Sequence, residues 1–325
     1  MRRARSAWIG DFIVHGRMRG ACKVQVSTSR AWKSILCLPM NRPRGPWQAL
    51  TDYARFVKLE HTLFSLPLIV AGALIGRAGA ALTWGRLGLL LLAGAGARTF
   101  ALAINRIVDR ALDAHNPRTA ARELPGGRMR LIEAWGVALA GLAVYVVAAA
   151  LLPRICLYLS PIPLAVFVGY PYLKRFTPLC HLGVGLALAL SPLGGYVAVT
   201  GTLEGVENVL PLAGFALLWV AGFDVIYATL DEAHDRAHGV RSLPAAIGSE
   251  KALMVSRAFH TVAFALLAGW AIWRGSGVWM WLCLAAVGAL LLWEQKAARK
   301  VELAFFQINS WLGFVVLAFI WAGLT

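Results

Sequence analysis

"LGLLLLAGAGARTFALAINRIVDRALDAH", residues 87–115, joins an apolar run directly to a cluster of acids and arginines. The apolar part is long enough to enter a bilayer as a helix, in which each backbone polar group is bonded within the segment. The polar part spaces Asn105, Asp109 and Asp113 four residues apart. On a helix these three lie on one face, one turn above another. An ionisable side chain costs on the order of 2.5–3.5 kcal/mol at mid-bilayer, and it persists where it faces a polar cavity or binds something.

The rest of the chain sets the context. Of its 325 residues, 59% are hydrophobic and 15% charged, and the mean hydropathy is +0.64. This composition belongs to the membrane class. It predicts an all-α, polytopic bundle of about nine transmembrane helices, near 59–76, 87–108, 131–152, 155–173, 179–200, 208–230, 258–273, 278–293 and 303–323, with the seventh and eighth short or marginal. The alternate loops at 110–130, 174–178, 231–257 and 294–302 hold fourteen Lys and Arg, whereas the opposite loops hold only Arg77, Arg86, Arg154 and Arg274. By the positive-inside rule the N-terminus and the four basic loops are cytoplasmic, and the C-terminus lies outside. The net charge of +16 sits between apolar spans, which argues against nucleic acid and for topology and anion handling. Cys22, Cys37, Cys156, Cys180 and Cys283 show no CxxC pairing and read as small apolar fillers. Trp273, Trp279 and Trp281 read as interfacial anchors.

A second acidic stretch, "DVIYATLDEAHDRAHGVRSLPAAIG", carries Asp224, Asp231 and Asp235, so five of the seven aspartates fall in two places. Both places lie at the cytoplasmic ends of expected spans. Asp231 and Asp235 repeat the four-residue step, which on a helix stacks oxygen ligands along one stripe. Like charges so placed repel unless a cation lies between them. Mg²⁺, a hard cation that shares carboxylates with phosphate oxygens and water, suits such a set. Arg110, Arg118, Arg122, Lys174, Arg175 and Arg241 surround the acids, and arginine binds phosphate through a planar fork of donors. Acids for Mg²⁺ beside bases for phosphate make a diphosphate site. At the mouth of a membrane bundle, that site suits a lipid with a diphosphate head and its tail in the bilayer.

These stretches resemble the UbiA superfamily of intramembrane aromatic prenyltransferases. Asn105, Asp109 and Asp113 match its NxxxDxxxD motif. "RTAARELPGG" is similar to the run that follows it, through Arg118, Thr119, Arg122, Leu124, Pro125 and Gly127. Asp224, Tyr227, Asp231 and Asp235 match its D-x-x-Y-A…D-x-x-x-D motif, "GVRS" at 239–242 its Gly-Val-Lys-Ser, and "YPYLKRFT" at 170–177 another landmark. The likeness covers about residues 50–325. Glu123 stands where many ubiquinone-pathway members have Pro, Leu230 where many have Gln, and the first span begins "VKLEHTLFSLPL". These features resemble a prokaryotic 4-hydroxybenzoate polyprenyltransferase-like subgroup, some members of which are linked to menaquinone made by the futalosine route.

The resemblance implies Mg²⁺-dependent transfer of a chain from polyprenyl diphosphate to an aromatic hydroxy acid, within a bacterial inner membrane and from the cytoplasmic side. Asn105, Asp109, Asp113, Asp231 and Asp235 are the expected metal ligands. Arg118, Arg122, Lys174 and Arg241 would offset charge on the departing diphosphate. Tyr170, Tyr227 or an aspartate would steady the allylic cation, the Tyr rings through their faces, and Asp224 is a candidate substrate-binding residue. Lys58 is the candidate partner of the acceptor's carboxylate, and His61, with Glu60 beside it, a candidate base. Gly94, Gly96, Gly183 and Gly185 either make room for the tail or pack helices closely. The acceptor stands open among 4-hydroxybenzoate, a menaquinone precursor and a haem- or chlorophyll-type ring. A transporter and a CDP-alcohol phosphotransferase are the rival classes. Transport favours acids at mid-span in broken helices, and the phosphotransferase favours one continuous Asp-rich motif.

Residues 1–45, with Arg2, Arg3, Arg5, Arg17 and Arg19 against the single acid Asp11, are basic in the manner of a transit peptide. They are expected to be a disordered extension or a spurious one upstream of a start at Met40, leaving 46–325 as the transmembrane domain.

Overall fold

The computed structural model describes residues 45–58, 62–77, 82–275, 277–298 and 308–325. Apart from Gly45, the basic extension lies outside these residues, as do Glu60, His61, Arg299 and Lys300.

All regular structure described is helical. A short α1 (Pro46–Phe56) precedes α2 (Thr62–Gly76), the long α3 (Trp84–His115) and α4 (Leu131–Leu151). The next span is built of α5 (Arg154–Leu159) and α6 (Pro161–Leu173), followed by α7 (Cys180–Thr200) and α8 (Leu210–Ala228). Two short helices, α9 (Glu232–Ala237) and α10 (Leu243–Ile247), lead into α11 (Ser249–Arg274), α12 (Val278–Ala297) and α13 (Asn309–Leu324).

Among the described residues seven stretches are long and apolar enough to cross a membrane, and Ser65–Gly76 and Asn309–Leu324 are shorter apolar helices. The expected seventh and eighth segments are among the seven long ones, and the described parts of the expected first and ninth segments are these two shorter helices. The seventh begins nine residues earlier than expected, at Ser249, because "SEKALMVSR" is too polar to read as membrane yet contains nothing that breaks a helix. The exposed Trp84, Trp273, Trp279 and Trp281 all lie at one end of the bundle, near the start of α3, the end of α11 and the start of α12, as an interfacial belt requires.

Close backbone approach packs these helices. At the α3–α4 crossing a Cβ on Gly141 would stand 2.8 Å from the Phe100 nitrogen and 3.0 Å from the Gly96 oxygen. Gly72 admits the Pro192 carbonyl and Gly195 the Ile69 carbonyl, which brings α2 against α7. The largest apolar cluster gathers on Trp219 of α8, with Leu68, Leu212, Phe215, Leu312 and Phe319 around it. Trp219 donates its indole N–H to Asn309 (2.8 Å), and Asn309 donates to Glu294 (2.9 Å), so polar side chains tie the last helix to α8 and α12 where lipid supplies no hydrophobic drive between helices.

Of the four glycines with two expected roles, Gly96 and Gly185 meet backbone of neighbouring helices and Gly183 meets the Leu173 side chain, whereas Gly94 lines the cavity described below. Gly141→Val is expected to cost about 1–3 kcal/mol through overpacking, read as a lower unfolding temperature in detergent, whereas Gly136→Ala, on the same helix with open space at its Cα, leaves that temperature unchanged.

Candidate active site

The ends of α3, α6 and α8 meet at one end of the bundle. α3 has 32 residues, more than the roughly 20 needed to span, and its last turns carry the first acidic stretch beyond the apolar run. Asn105 donates to Asp109 across one helical turn (3.2 Å), as the four-residue spacing predicts. Asp109 and Asp113 are only 2% and 7% exposed, so each needs a partner. Lys174, just past α6, reaches Asp109 Oδ2 at 2.5 Å. Arg122 spans both oxygens of Asp113 at 2.7 and 2.8 Å.

The second stretch differs from a continuous helical stripe. α8 stops at Ala228, residues Thr229–Asp231 form one 3₁₀ turn, and α9 restarts at Glu232. The Thr229 hydroxyl takes the Ile226 carbonyl at 2.7 Å, the kind of local side-chain competition that bends helices. The break turns Asp231 toward the loop after α3. There Asn116 donates to its Oδ1 (2.7 Å), the Arg118 Nε donates to the same oxygen (2.9 Å), and Arg118 Nη2 pairs with Oδ2. Arg118 also donates to the Tyr227 hydroxyl (2.6 Å) and lies 4.6 Å above that ring. Burial works against the Arg118 charge, but the bonds to Asp231 and Tyr227 hold its pKa above the ordinary arginine value. Asp235 accepts from Ser242 at 2.7 Å. Arg241 donates its backbone N–H to the Lys174 carbonyl (2.7 Å) and its guanidinium to the Phe176 carbonyl (2.9 Å). Both acidic stretches and the three basic loops thus share one mouth.

Each of the four motif carboxylates is held by a base or a hydroxyl, and among the described residues no group of three His, Cys, Asp or Glu side chains is set to hold a metal ion. The donor chemistry nonetheless fits Mg²⁺. All the candidates are hard oxygen ligands, and Asp109 Oδ1 is buried with no hydrogen-bond partner, its contact with Arg175 stretching to 4.0 Å.

Behind the mouth lies a cavity of about 690 Å³. Lys58, Asn105, Arg106 and Arg122 stand at its charged end, and Leu203, Val206 and Leu210 at the other. The walls between are mainly apolar, with Arg98, Tyr170 and Asp224 as polar exceptions. Tyr170 therefore faces the cavity, whereas Tyr227 is engaged by Arg118 at the mouth.

Sequence reasoning missed two arginines. Arg98 lines the cavity with its Nε buried and without a hydrogen-bond partner. Its signal was present: it lies seven residues before Asn105, two helical turns along the same face, inside an apolar span. Arg106 is 7% exposed. Its Nη1 stands 3.9 Å from Glu123, which Arg128 also approaches at 3.2 Å. Glu123, which stands where many family members have Pro, is thus a counter-charge for the cavity's own Arg106.

An acid-and-base mouth opening on a long apolar channel within a membrane bundle defines an integral membrane enzyme of the lipid-transferase kind. The chain belongs to the UbiA prenyltransferase family, whose model matches residues 65–321. A 4-hydroxybenzoate octaprenyltransferase of Serratia proteamaculans (strain 568) is 30% identical over 282 residues, covering 84% of this chain and 94% of its own. A UbiA homolog from Aeropyrum pernix K1, solved in its apo form, superposes with a TM-score of 0.73 at 37% identity over 81% of this chain and 96% of that one. A UbiA homolog from Archaeoglobus fulgidus, solved bound to GPP and Mg²⁺, shares the fold at a TM-score of 0.65 and 20% identity, over 84% and 98%.

Removing Glu123 takes the ion-pair partner from the buried Arg106 and leaves Arg128 with Asp52, at 3.8 Å. Glu123→Ala is expected to cost on the order of 3 kcal/mol, measured as a loss of thermal stability that Glu123→Asp recovers in part.

Proposed function

We propose that this protein transfers a polyprenyl chain from polyprenyl diphosphate to an aromatic hydroxy acid of the 4-hydroxybenzoate type, with Mg²⁺, in quinone biosynthesis. One observation carries the reading: an apolar cavity reaches Asn105, Arg122 and Asp224 at the end of the bundle where both acidic stretches lie, with a buried, under-bonded arginine in its wall. The names of the bacterial relatives and the ligands of the Archaeoglobus protein support the same chemistry.

Asn105, Asp109, Asp113, Asp231 and Asp235 would hold the metal. Bound there, Mg²⁺ neutralises charge on the diphosphate as it leaves. Lys174, Arg118 and Arg122 now pair with these carboxylates, and they turn to phosphate oxygens when diphosphate arrives. Arg241 and Arg106 add positive charge at the same end. The C–O bond of the prenyl diphosphate breaks with its electrons going to the leaving group, and the allylic cation is kept from water by the apolar walls. Tyr170 is placed to steady that cation through its ring face. The tail lies toward Leu203, Val206 and Leu210.

The acceptor's carboxylate is assigned to Arg98, because its guanidinium faces the cavity with a buried donor in hand. Lys58 lines the cavity too, but at the charged end, where a second anion would compete with diphosphate. The positive-inside pattern supports a mouth facing the cytoplasm, and the bacterial relatives support the inner membrane.

The test is incubation of membranes with labelled polyprenyl diphosphate, Mg²⁺ and a panel of phenolic acids. Prenylated phenol with free diphosphate supports transfer; CMP release in a CDP-alcohol assay, or solute flux without either product, overturns it. Asp109→Ala and Asp231→Ala are each expected to abolish turnover while the protein stays in the membrane. Arg98→Leu is expected to raise KM for 4-hydroxybenzoate about tenfold or more, with KM for polyprenyl diphosphate unchanged.

A further inference from the structure

His181, at the start of α7, is 3% exposed and has no place in the motifs that identify the family. Its Nδ1 lies 2.7 Å from Asp224 Oδ2, and its Nε2 accepts the backbone N–H of Leu243 at 3.2 Å. A backbone N–H only donates, so Nε2 must carry the lone pair. The proton is then on Nδ1, which donates to the carboxylate. The tautomer is fixed by main chain, and it holds Asp224 in one orientation as a hydrogen-bond acceptor.

Asp224, on α8, also lines the cavity, as Arg98 does from α3. Both α3 and α8 run toward the mouth. Arg98 lies eleven residues before Asp109, and Asp224 seven before Asp231. Each therefore stands more than one helical turn inside the acidic stretch of its own helix. An aromatic acid with its carboxylate on Arg98 lies in the same cavity that Asp224 lines, where its para hydroxyl can meet that carboxylate.

We propose that Asp224 accepts the phenolic proton of the acceptor, and that His181 is the positioning residue that aims it. This rests on the prenyl-transfer reading above. As the O–H proton moves to Asp224, electron density enters the ring. The carbon ortho to the oxygen bonds to C1 of the prenyl group, whose bond to diphosphate breaks. The dienone so formed loses the hydrogen on that carbon and regains its hydroxyl proton, leaving one proton released per transfer.

The same histidine reaches the other end of the site. Leu243 directly follows Arg241 and Ser242, and those residues hold the Lys174 carbonyl and Asp235. Cys180, beside His181, meets the Arg241 carbonyl at 3.5 Å. The segment that closes over the diphosphate end therefore also sets the imidazole that aims the base.

The experiment compares Asp224→Asn, His181→Ala and His181→Asn with the wild type. The donor is farnesyl diphosphate with Mg²⁺, and the acceptors are 4-hydroxybenzoate and 3-fluoro-4-hydroxybenzoate. The second phenol is more acidic and keeps one ortho carbon open. With 4-hydroxybenzoate, Asp224→Asn is expected to lower kcat by about 10²-fold or more, and His181→Ala by a smaller factor. The fluorinated acceptor should recover most of both losses, and His181→Asn, whose amide N–H takes the place of Nδ1–H, should recover His181→Ala. Retained Mg²⁺-dependent binding of farnesyl diphosphate shows that each variant is folded. Equal losses with both acceptors, or losses under twofold, overturn the proposed roles of Asp224 and His181. A wild type that prenylates neither acid overturns instead the reading on which they rest.

Discussion

Buried carboxylates at the end of a membrane bundle must be matched by positive charge, and the active end of this protein is organised around that requirement. Asp109 and Asp113 are almost wholly enclosed, and an ionised group so placed without a partner costs several kcal/mol. Lys174 and Arg122 supply the match within the fold, and Arg118 does the same for Asp231. On the proposed reading these bases are also the ones that diphosphate needs. Ligand binding is then an exchange: carboxylates pass from bases to metal, and bases pass from carboxylates to phosphate. Neither state leaves a buried charge alone, so desolvation of the mouth is met largely during folding.

That exchange dictates the geometry around it. The bases must come from loops rather than from the helix bearing the acids, so that they can turn to phosphate without unwinding a span. Lys174 follows α6, and Arg118 and Arg122 follow α3. Each loop is anchored at a second point: Arg175 donates to the Val108 carbonyl, Thr119 to the Asp113 carbonyl, and Arg241 to the Lys174 carbonyl. On the proposed reading, these backbone contacts hold the loops while their charged tips exchange partners.

The parts legible in the sequence were those with a period or a composition. Apolar length disclosed the helical membrane bundle and its seven long spans, and the repeat of four disclosed the Asn105, Asp109 and Asp113 face. Hydropathy measures burial in lipid, not helicity, so it cut α11 short at its polar first turns. The break at Thr229–Asp231 was hidden, because a hydroxyl returning to the Ile226 carbonyl leaves no pattern in the residue order. Arg98 was overlooked inside an apolar run, although charge within a span is itself the signal. His181 was beyond reach, since its two partners lie 43 and 62 residues away. Glu123 was visible only as a departure from a family pattern, and the nearby Arg106 supplies its reason.

The placement of positive charge along one cavity also bears on which ring carbon is alkylated. Two anions entering a single basic mouth would compete for the same cations if all of them stood at the rim. Here one guanidinium, Arg98, is set roughly 10 Å deeper than Asn105 along α3, behind the residues proposed to hold the diphosphate. A rigid aromatic acid held there by its carboxylate has few ways to face the breaking C–O bond. Orientation of this kind removes most of the freedom that a bimolecular encounter would otherwise have to lose. On the proposed reading, the selectivity resides in the spacing between the deep arginine and the mouth, a length set by helical rise rather than by flexible side chains. Close backbone packing of α3 on α4 at Gly96 and Gly141 is therefore part of the chemistry, because it fixes the helix that carries both ends of that ruler.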